Sequence, residues 1–507
     1  MKAHDQNSLL RLGNLWYRTE LQNRVSRFVT DQKALREELH VESLTPQGYS
    51  ENLRERIRCH HEQSPDNSRI LFTSGTRSCS KEIWYPSDRI KALRRECIRQ
   101  TALLAEELDS ENFSFYLLAS TSGDRSLSSA IFRGEEDSFW ERKAFEGSIF
   151  SREQFQCETI TCEQHWIHLA GLLAVQPTLI VTVNPSSLLI LIERCLEEWS
   201  DAARNLPQAL SAITLPAAVR EQALVRIAKV ASARNGAPAP QELFNTLKGV
   251  FCWDGGYVAP YISSLASMLP DHVRFFPMFS LSTETVGSLR LPAAFGHGAG
   301  TIYPGVLYEF MKGEGDTPET LIPAEELCPG EIATLIVSDR YGLRRYDTED
   351  VFECTGKIGD VPFIRFLRRR GLQFSFTGEK ITAEQVTDAS LRISARLEVE
   401  DLGLACFPWA KPPHSSIPTY GVVCTARADV SLAQLEQEFD RTLAELNSEY
   451  RAKRQSDRLA PPRIVSLSTS ELVSKVLPRI SPERRPTIGQ FKLLPLYPDL
   501  DFEIFYR

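Results

Sequence analysis

Pro177-Thr178-Leu179-Ile180-Val181-Thr182-Val183 carries no charge, and Asn184-Pro185-Ser186-Ser187 follows it directly. A run this short does not cross a membrane, and its β-branched content marks a strand buried on both faces. Asn184 before Pro185 is a helix start, because a proline's missing N–H is no loss at the first helical position. A doubly buried strand that feeds a capped helix, here Leu188–Trp199, is a βα unit of a parallel sheet. The same alternation recurs. Val250-Phe251-Cys252-Trp253 ends on Asp254-Gly255-Gly256, and Val273–Phe279 ends on Ser280-Leu281-Ser282-Thr283-Glu284. Strand ends bearing glycines, hydroxyls and an acid are what a ligand site in an open α/β sheet requires. Each alone reads equally well as a strand-end turn.

A polar stretch stands upstream. Arg69–Phe72 and Glu82–Tyr85 read as strands, the second stopping at Pro86, and Thr73-Ser74-Gly75-Thr76-Arg77-Ser78-Cys79-Ser80-Lys81 joins them. Hydroxyls, a glycine and a closing lysine can turn donors toward an anion. An ordinary solvated turn has the same composition. The stretch is not a Walker loop, since the Gly-Lys-Ser/Thr ending and the following helix are both missing.

The remaining chain divides into regions of different periodicity. Residues 1–68 read as charged helix with apolar positions at Leu9, Leu10, Leu12, Leu15 and Trp16. Ser87-Asp88 can cap a helix that runs through Leu93 and Ile98 to about Leu108, and Phe113–Ser120 reads as a buried strand. Residues 200–245 are helical with a loop at Asn235–Pro240, and residues 301–366 are all β. Arg368-Arg369-Arg370-Gly371 breaks the apolar pattern, which divides the chain into residues 1–371 and 372–507. In the second part Thr382-Ala383-Glu384-Gln385 is a capping box. Tyr420–Thr425 is a strand there, and Leu432–Lys453 reads as one long amphipathic helix. The expected fold is α/β: a large N-terminal domain with mixed and parallel sheets, and a smaller, mobile α+β C-terminal domain.

With 507 residues and a net charge of −8, nothing favours nucleic acid or an anionic membrane as partner. The apolar runs are short or broken by Pro177 and Pro185, and Met1–Gln6 leads into no signal-peptide core. Eleven scattered cysteines in apolar contexts read as reduced core thiols of a cytoplasmic protein. Cys157-x4-Cys162-x2-His165-x2-His168 invites a zinc reading, but the spacing fits no standard zinc pattern. Trp166, Leu169, Leu172 and Leu173 instead make it an amphipathic helix with surface histidines.

Taken in order, these pieces resemble the adenylate-forming superfamily of acyl-CoA synthetases, peptide-synthetase adenylation domains and luciferases. They resemble most its auxin-responsive branch, the Gretchen Hagen acyl acid–amido synthetases. Thr73–Lys81 is similar to the family's phosphate loop, and Ser282-Thr283-Glu284 to its Ser-Ser-Glu or Ala-Thr-Glu element. Tyr308-Glu309-Phe310, Tyr341-Gly342-Leu343-x-Arg345-Tyr346 and Asp350-Val351 are similar to its Glu-Phe and Gly-Leu-Tyr-Arg-Tyr-x-x-Gly-Asp elements. Arg369 precedes Gly378-Glu379-Lys380 at the family spacing. Leu446-Asn447-x-x-Tyr450-x-x-Lys453-Arg454 and Gly489-Gln490-Phe491-Lys492 resemble C-terminal elements of the amido synthetases. The chain departs from the pattern in three places. The phosphate loop lacks its second glycine, Ser280 replaces an aromatic, and Glu349 replaces the glycine before Asp350.

The resemblance implies a two-step reaction. A carboxylate attacks the α-phosphate of ATP, giving acyl-adenylate and pyrophosphate, and an amine, an amino acid, then takes the acyl group. It implies that Thr73, Ser74, Gly75 and Thr76, with Lys81, hold the β- and γ-phosphates, that Thr283 hydrogen-bonds the α-phosphate, and that Ser282 binds ATP. Glu284 is implied to bind Mg²⁺. Gly255 and Gly256 are implied to admit adenine, Asp350 to accept the ribose hydroxyls, and Arg369 to reach the nucleotide at the hinge. Lys492 is implied to be the mobile lysine of the adenylation step. The expected molecule is a monomer or weak oligomer acting on small acids and amines. An acyl-CoA ligase and a non-catalytic adenylate-binding homologue are the alternatives.

Overall fold

The computed structural model describes residues 3–72, 81–109, 113–118, 127–132, 147–149, 154–155, 163–231, 237–296, 298–313, 320–376, 379–399, 402–413, 417–425, 430–480 and 494–505. Thr73, Ser74, Gly75, Thr76, Cys157, Cys162, Gly378, Gly489 and Lys492 lie outside them.

The chain opens with helices α1 (Ala3–Leu39) and α2 (Glu51–Glu62). Leu10, Tyr17, Leu21, Phe28 and Leu35 of α1 are buried, whereas Leu12, Leu15 and Trp16 are exposed. Strands β1 (Ser68–Phe72) and β2 (Glu82–Pro86) pair antiparallel, so the polar stretch joins the two arms of a hairpin. Helix α3 (Ser87–Glu107) follows. Its N-cap is Pro86, with no side-chain capping bond, rather than Ser87 or Asp88. Asp88 lies in the first turn, where its charge suits the helix dipole.

The apolar runs form a four-stranded, all-parallel sheet: β3 (Phe115–Leu117), β4 (Leu179–Val181), β5 (Gly249–Cys252) and β6 (Arg274–Pro277), in that order. Between them run α4 (Leu127–Phe132), α5 (Gln164–Val175), α6 (Pro185–Glu197), α7 (Ala202–Ser211), α8 (Ala217–Ala231), α9 (Pro240–Leu243) and α10 (Ala259–Met268). Side chains alternate across a strand, so each sheet face feeds a different core. Tyr116, Ile180 and Val250 join a cluster with α5–α8 and the C-terminal part of the chain. Phe115, Leu179, Val181, Phe251 and Phe276 join a cluster with α1, α3 and the β-rich region. Each fully buried Leu, Ile or Phe stabilises by roughly 1.5–3 kcal/mol. Two such faces explain why these strands read as unbroken apolar runs.

Helix α5 differs from expectation. His165 to Ala174 are all buried, so it is a central helix and its histidines are not on the surface. Gly171 admits the ring of Tyr116, whose Cε2 lies 2.7 Å from where a Cβ would stand.

Residues 289–369 form a seven-stranded sheet in the order β10-β9-β11-β12-β13-β8-β7. Its members are β7 (Leu289–Arg290), β8 (Ala299–Gly300), β9 (Val306–Lys312), β10 (Thr320–Pro323), β11 (Ile332–Asp339), β12 (Tyr346–Ile358) and β13 (Val361–Arg369), all paired antiparallel. A short pair, β14 (Gln373–Phe374) and β15 (Ile381–Thr382), leads to α11 (Ala383–Leu397), which starts with the expected Thr382/Gln385 capping box. Strands β16 (Leu404–Trp409), β17 (Thr419–Cys424) and β18 (Arg463–Ser466) form a mixed sheet.

The helix expected over Leu432–Lys453 is two helices, α12 (Leu432–Leu446) and α13 (Ser448–Gln455). Asn447 separates them in extended conformation and caps the second. Helix α14 (Thr469–Ile480) packs on α6, where Ser470 Oγ donates to the Glu197 carboxylate at 3.0 Å. Among the described residues no helix is long and apolar enough to cross a membrane.

Candidate active site

Strands β12 and β13 bring the separated polar motifs together. Their register sets Asp350 opposite Arg369. Before β12, Arg345 takes a left-handed φ of 41°, and its guanidinium forks onto Glu309 at 2.9 Å through two nitrogens. This Arg–carboxylate fork fixes the chain as it enters the strand. The N-terminal region completes that corner: Arg345 Nη1 donates to the Leu44 carbonyl at 2.5 Å, and Asp347 N to the Gln47 carbonyl at 2.9 Å.

Lys81 arrives from the hairpin. Its Nζ donates to Tyr346 Oη at 2.8 Å and lies 3.7 Å from Glu284 Oε1 and 3.8 Å from Glu349 Oε2. The same Glu349 oxygen accepts from Arg369 Nη2 at 3.1 Å. Burial works against the charge on Arg369, but Asp350, Glu284 and Glu349 outweigh it and hold the guanidinium firmly protonated. Burial, then Glu284, raises the Tyr346 phenol, so it stays neutral at any physiological pH. Lys81, Glu284, Asp350 and Arg369 thus meet around Tyr346, with Glu349 added to them. Tyr346 and Glu349 were not among the expected site residues, although both sit inside quoted motifs.

The Ser282–Glu284 element is a tight turn. Ser282 N donates to the Thr285 carbonyl at 2.9 Å, and Thr285 N returns to Ser282 Oγ at 3.2 Å. Two outside side chains fix its backbone. Tyr85 Oη donates to the Thr283 carbonyl at 2.9 Å, and Arg89 Nη2 to the Glu284 carbonyl at 3.1 Å. Arg89 also meets Asp339 Oδ2 at 3.1 Å and lies over the rings of Tyr85 and Tyr341, at 4.1 and 4.4 Å from their centroids. Sequence reasoning missed Arg89. Its only trace is a basic residue in the first turn of α3, which is unremarkable on a helix.

The glycine pair after β5 has a packing reason of its own. A Cβ on Gly255 would lie 2.5 Å from the Phe366 carbonyl oxygen, and one on Gly256 2.6 Å from that of Leu367. The backbone that comes close here is β13, and Gly256 also holds a φ of 63°. Trp253 Nε1 donates to the Phe279 carbonyl at 3.3 Å, tying the ends of β5 and β6 together. Ser280 is held by the same corner: its N donates to Ser288 Oγ at 3.0 Å, and its carbonyl accepts from Gly287 N at 2.8 Å.

Two segments match family models. Residues 301–369 match the GH3 family central domain, and residues 384–497 the GH3 family C-terminal domain, in that order. Over these two segments the chain is similar to the GH3 family. Solved structures agree on the fold. A GH3.15 acyl acid amido synthetase in complex with 2,4-DB is 14% identical at a TM-score of 0.68, covering 100% of this chain and 96% of that one. A second structure of a GH3.15 acyl acid amido synthetase is 16% identical at 0.67, covering 96% and 95%. A 2-hydroxyisobutyryl-CoA ligase in the postadenylation state is 10% identical at 0.50, covering 100% and 91%. No curated protein matches the sequence.

The Leu446–Arg454 motif meets Glu379 and Lys380 in the structure. Asn447 Nδ2 donates to the Glu379 carbonyl at 2.6 Å and to Gln385 Oε1 at 3.1 Å, while its Oδ1 accepts from Tyr450 N at 2.9 Å. The buried Glu379 carboxylate accepts from Tyr420 Oη at 2.5 Å and Phe376 N at 2.7 Å. Lys380 beside it holds a left-handed φ of 43°. Tyr450 and Arg454 both bond Asp440, at 2.6 and 2.8 Å. This motif therefore binds α12 and α13 to the Glu379-Lys380 turn.

His165 Nε2 lies 2.9 Å from Glu198 Oε2, and His168 Nδ1 lies 2.9 Å from Tyr116 Oη. Glu163, His165 and Glu198 bring three ligand atoms within 4.8 Å of one another. Arg194 already ion-pairs both carboxylates, at 3.1 and 3.7 Å. Eight described cysteines are free thiols; Cys195, Cys252, Cys354, Cys406 and Cys424 are buried, but Cys59 and Cys328 are exposed rather than in apolar surroundings.

Proposed function

We propose that this protein is an ATP-dependent acyl acid–amido synthetase. It joins a carboxylic acid to AMP with release of pyrophosphate, then passes the acyl group to an amine, an amino acid, forming an amide. The observation that carries this reading is the meeting of Lys81, Glu284, Asp350 and Arg369, from four separated motifs, around Tyr346. Two cations that can meet phosphate oxygens, set beside carboxylates that can hold a divalent ion and ribose hydroxyls, suit a polyphosphate nucleotide, whose charge is the main barrier to attack by another anion.

The roles follow from chemistry. Thr73, Ser74, Gly75, Thr76 and Lys81 hold the β- and γ-phosphates, and Ser282 and Thr283 serve the α-phosphate. Asp350 accepts the ribose hydroxyls, and Arg369 beside it neutralises phosphate charge. Gly255 and Gly256 form the close wall at the adenine. The Glu284 carboxylate is a hard oxygen donor beside the phosphate-binding lysine, which fits Mg²⁺; the ion supplies charge neutralisation across phosphate oxygens. Residues 1–371 form the nucleotide and acid domain. Residues 372–507 form a mobile domain that brings Lys492 to the reacting carboxylate and α-phosphate. The protein works in the cytoplasm, as a monomer or weak oligomer, on small molecules rather than nucleic acid or membranes. The GH3 C-terminal domain favours an amine acceptor over coenzyme A. With the acid and MgATP supplied, mass spectrometry should find amides from an amino-acid pool and no thioester with coenzyme A; thioester alone would overturn the acceptor assignment.

A further inference from the structure

Glu349 stands where the backbone least favours a side chain. Its φ of 62° is left-handed, a conformation that glycine adopts freely and that costs other residues about 1 kcal/mol or more. Three contacts hold it there. Glu349 N donates to Asp347 Oδ1 at 2.9 Å, its carbonyl accepts from Arg370 N at 2.6 Å, and Arg370 pairs with Asp347. The backbone alone would be better served by glycine, so the carboxylate itself needs a reason.

That carboxylate sits among the groups read as phosphate-binding. One of its oxygens lies 3.1 Å from Arg369 Nη2 and 3.8 Å from Lys81 Nζ. Glu284 approaches the same ammonium at 3.7 Å, and Asp350 acts on the same guanidinium. Among the described residues, Glu349 is the third carboxylate acting on these two cations. The Glu349 side chain is 28% exposed, so it can leave the cations when a ligand arrives.

Resting on the nucleotide reading above, we propose that Glu349 is a specificity residue that makes the site select metal-complexed ATP over free ATP. Its carboxylate is a built-in counter-anion for Lys81 and Arg369. Free ATP carries about four negative charges and the magnesium complex about two, so one extra carboxylate repels free ATP about twice as strongly. Phosphates must also displace Glu349 from both cations, and a metal that offsets their charge makes the exchange easier for the complex.

The test is calorimetric titration of the full chain with ATP, in EDTA and in excess Mg²⁺, at low ionic strength. Glu349→Gln keeps the shape and removes the charge; Glu349→Gly also relieves the backbone. Both should tighten free ATP on the order of tenfold and MgATP about threefold, and both gains should shrink in 0.5 M salt. Glu349→Gly should also melt higher than wild type, which separates the charge effect from misfolding. Weaker MgATP binding with free ATP unmoved would make Glu349 a metal ligand and overturn the inference. Equal affinities in wild type and both variants would overturn it as well. A wild-type chain that binds neither form would instead overturn the nucleotide reading, and this inference with it.

Discussion

Arg89 carries more of the site than its place on a helix suggests, and Arg89→Met measures how much. The Arg89 side chain is 8% exposed and that of Asp339, which it meets, is 2% exposed. Burial works against its charge, and Tyr85 and Asp339 outweigh that. Met replaces the stem but leaves the Asp339 charge buried without its cation, a change that costs about 3–5 kcal/mol. The two carbonyls it serves, of Trp84 at 3.2 Å and Glu284 at 3.1 Å, lose their donors too. Urea unfolding at pH 7, followed by tryptophan fluorescence, should therefore show a loss of about 3–5 kcal/mol. Asp339→Asn keeps the oxygen that accepts from Tyr341 N at 2.8 Å and Leu343 N at 3.1 Å. In the double variant no charge is stranded, so it should be more stable than additivity predicts by at least about 1.5 kcal/mol. A loss under about 1 kcal/mol, or simple additivity, would refute the claim that this pair anchors the Glu284 turn.

Two further outcomes follow from the packing. Asn447→Ala removes a helix cap, worth about 1 kcal/mol, and strands a buried carbonyl at Glu379, worth about 1–3 more; thermal unfolding should fall accordingly, with faster amide exchange at 379–382 and 448–455, and an unchanged melt would contradict the role. Burial and then Arg194 push the His165 imidazole down to about 4 although Glu163 pulls the other way. The unfolded chain then binds a proton that the folded one refuses between pH 6.5 and 4, so stability contributed by neutral His165 is present above pH 6.5 and lost on acidification, by an amount on the order of 3 kcal/mol. His165→Gln should flatten that part of the stability profile relative to wild type, and an identical slope in both would exclude His165 as its source.

The parallel sheet was legible because burial on both faces writes itself into sequence as apolar runs: Leu179–Val181 lies inside the run that marked it, and Gly249–Cys252 overlaps its run, offset by one residue. Helix α5 was read as amphipathic because Trp166, Leu169, Leu172 and Leu173 repeat at helical spacing. Its remaining face is buried by α7 and α8, and His165 and His168 meet polar partners 33 and 52 residues away. No local period encodes such partners. Asn447 breaks the long helix for the same reason: its reward is a bond to Glu379, 68 residues back. The charged cluster was legible as motifs but not as an arrangement. Lys81 and Tyr346 touch across 265 residues, and only the β12–β13 register sets Asp350 beside Arg369. The close approach of strand β13 to Gly255 and Gly256 was likewise not legible, because the strand lies more than 100 residues away in the chain.

The most direct measurement is ATP–pyrophosphate exchange with Mg²⁺ across a panel of aryl, indolyl and fatty carboxylic acids, with Lys492→Ala beside the wild type. The account predicts exchange that depends on one class of acid and falls at least about 100-fold in Lys492→Ala, the scale of losing one transition-state charge contact. Exchange undiminished by that substitution would contradict the role given to Lys492, and no exchange with any acid by a chain that still binds ATP would contradict adenylation itself.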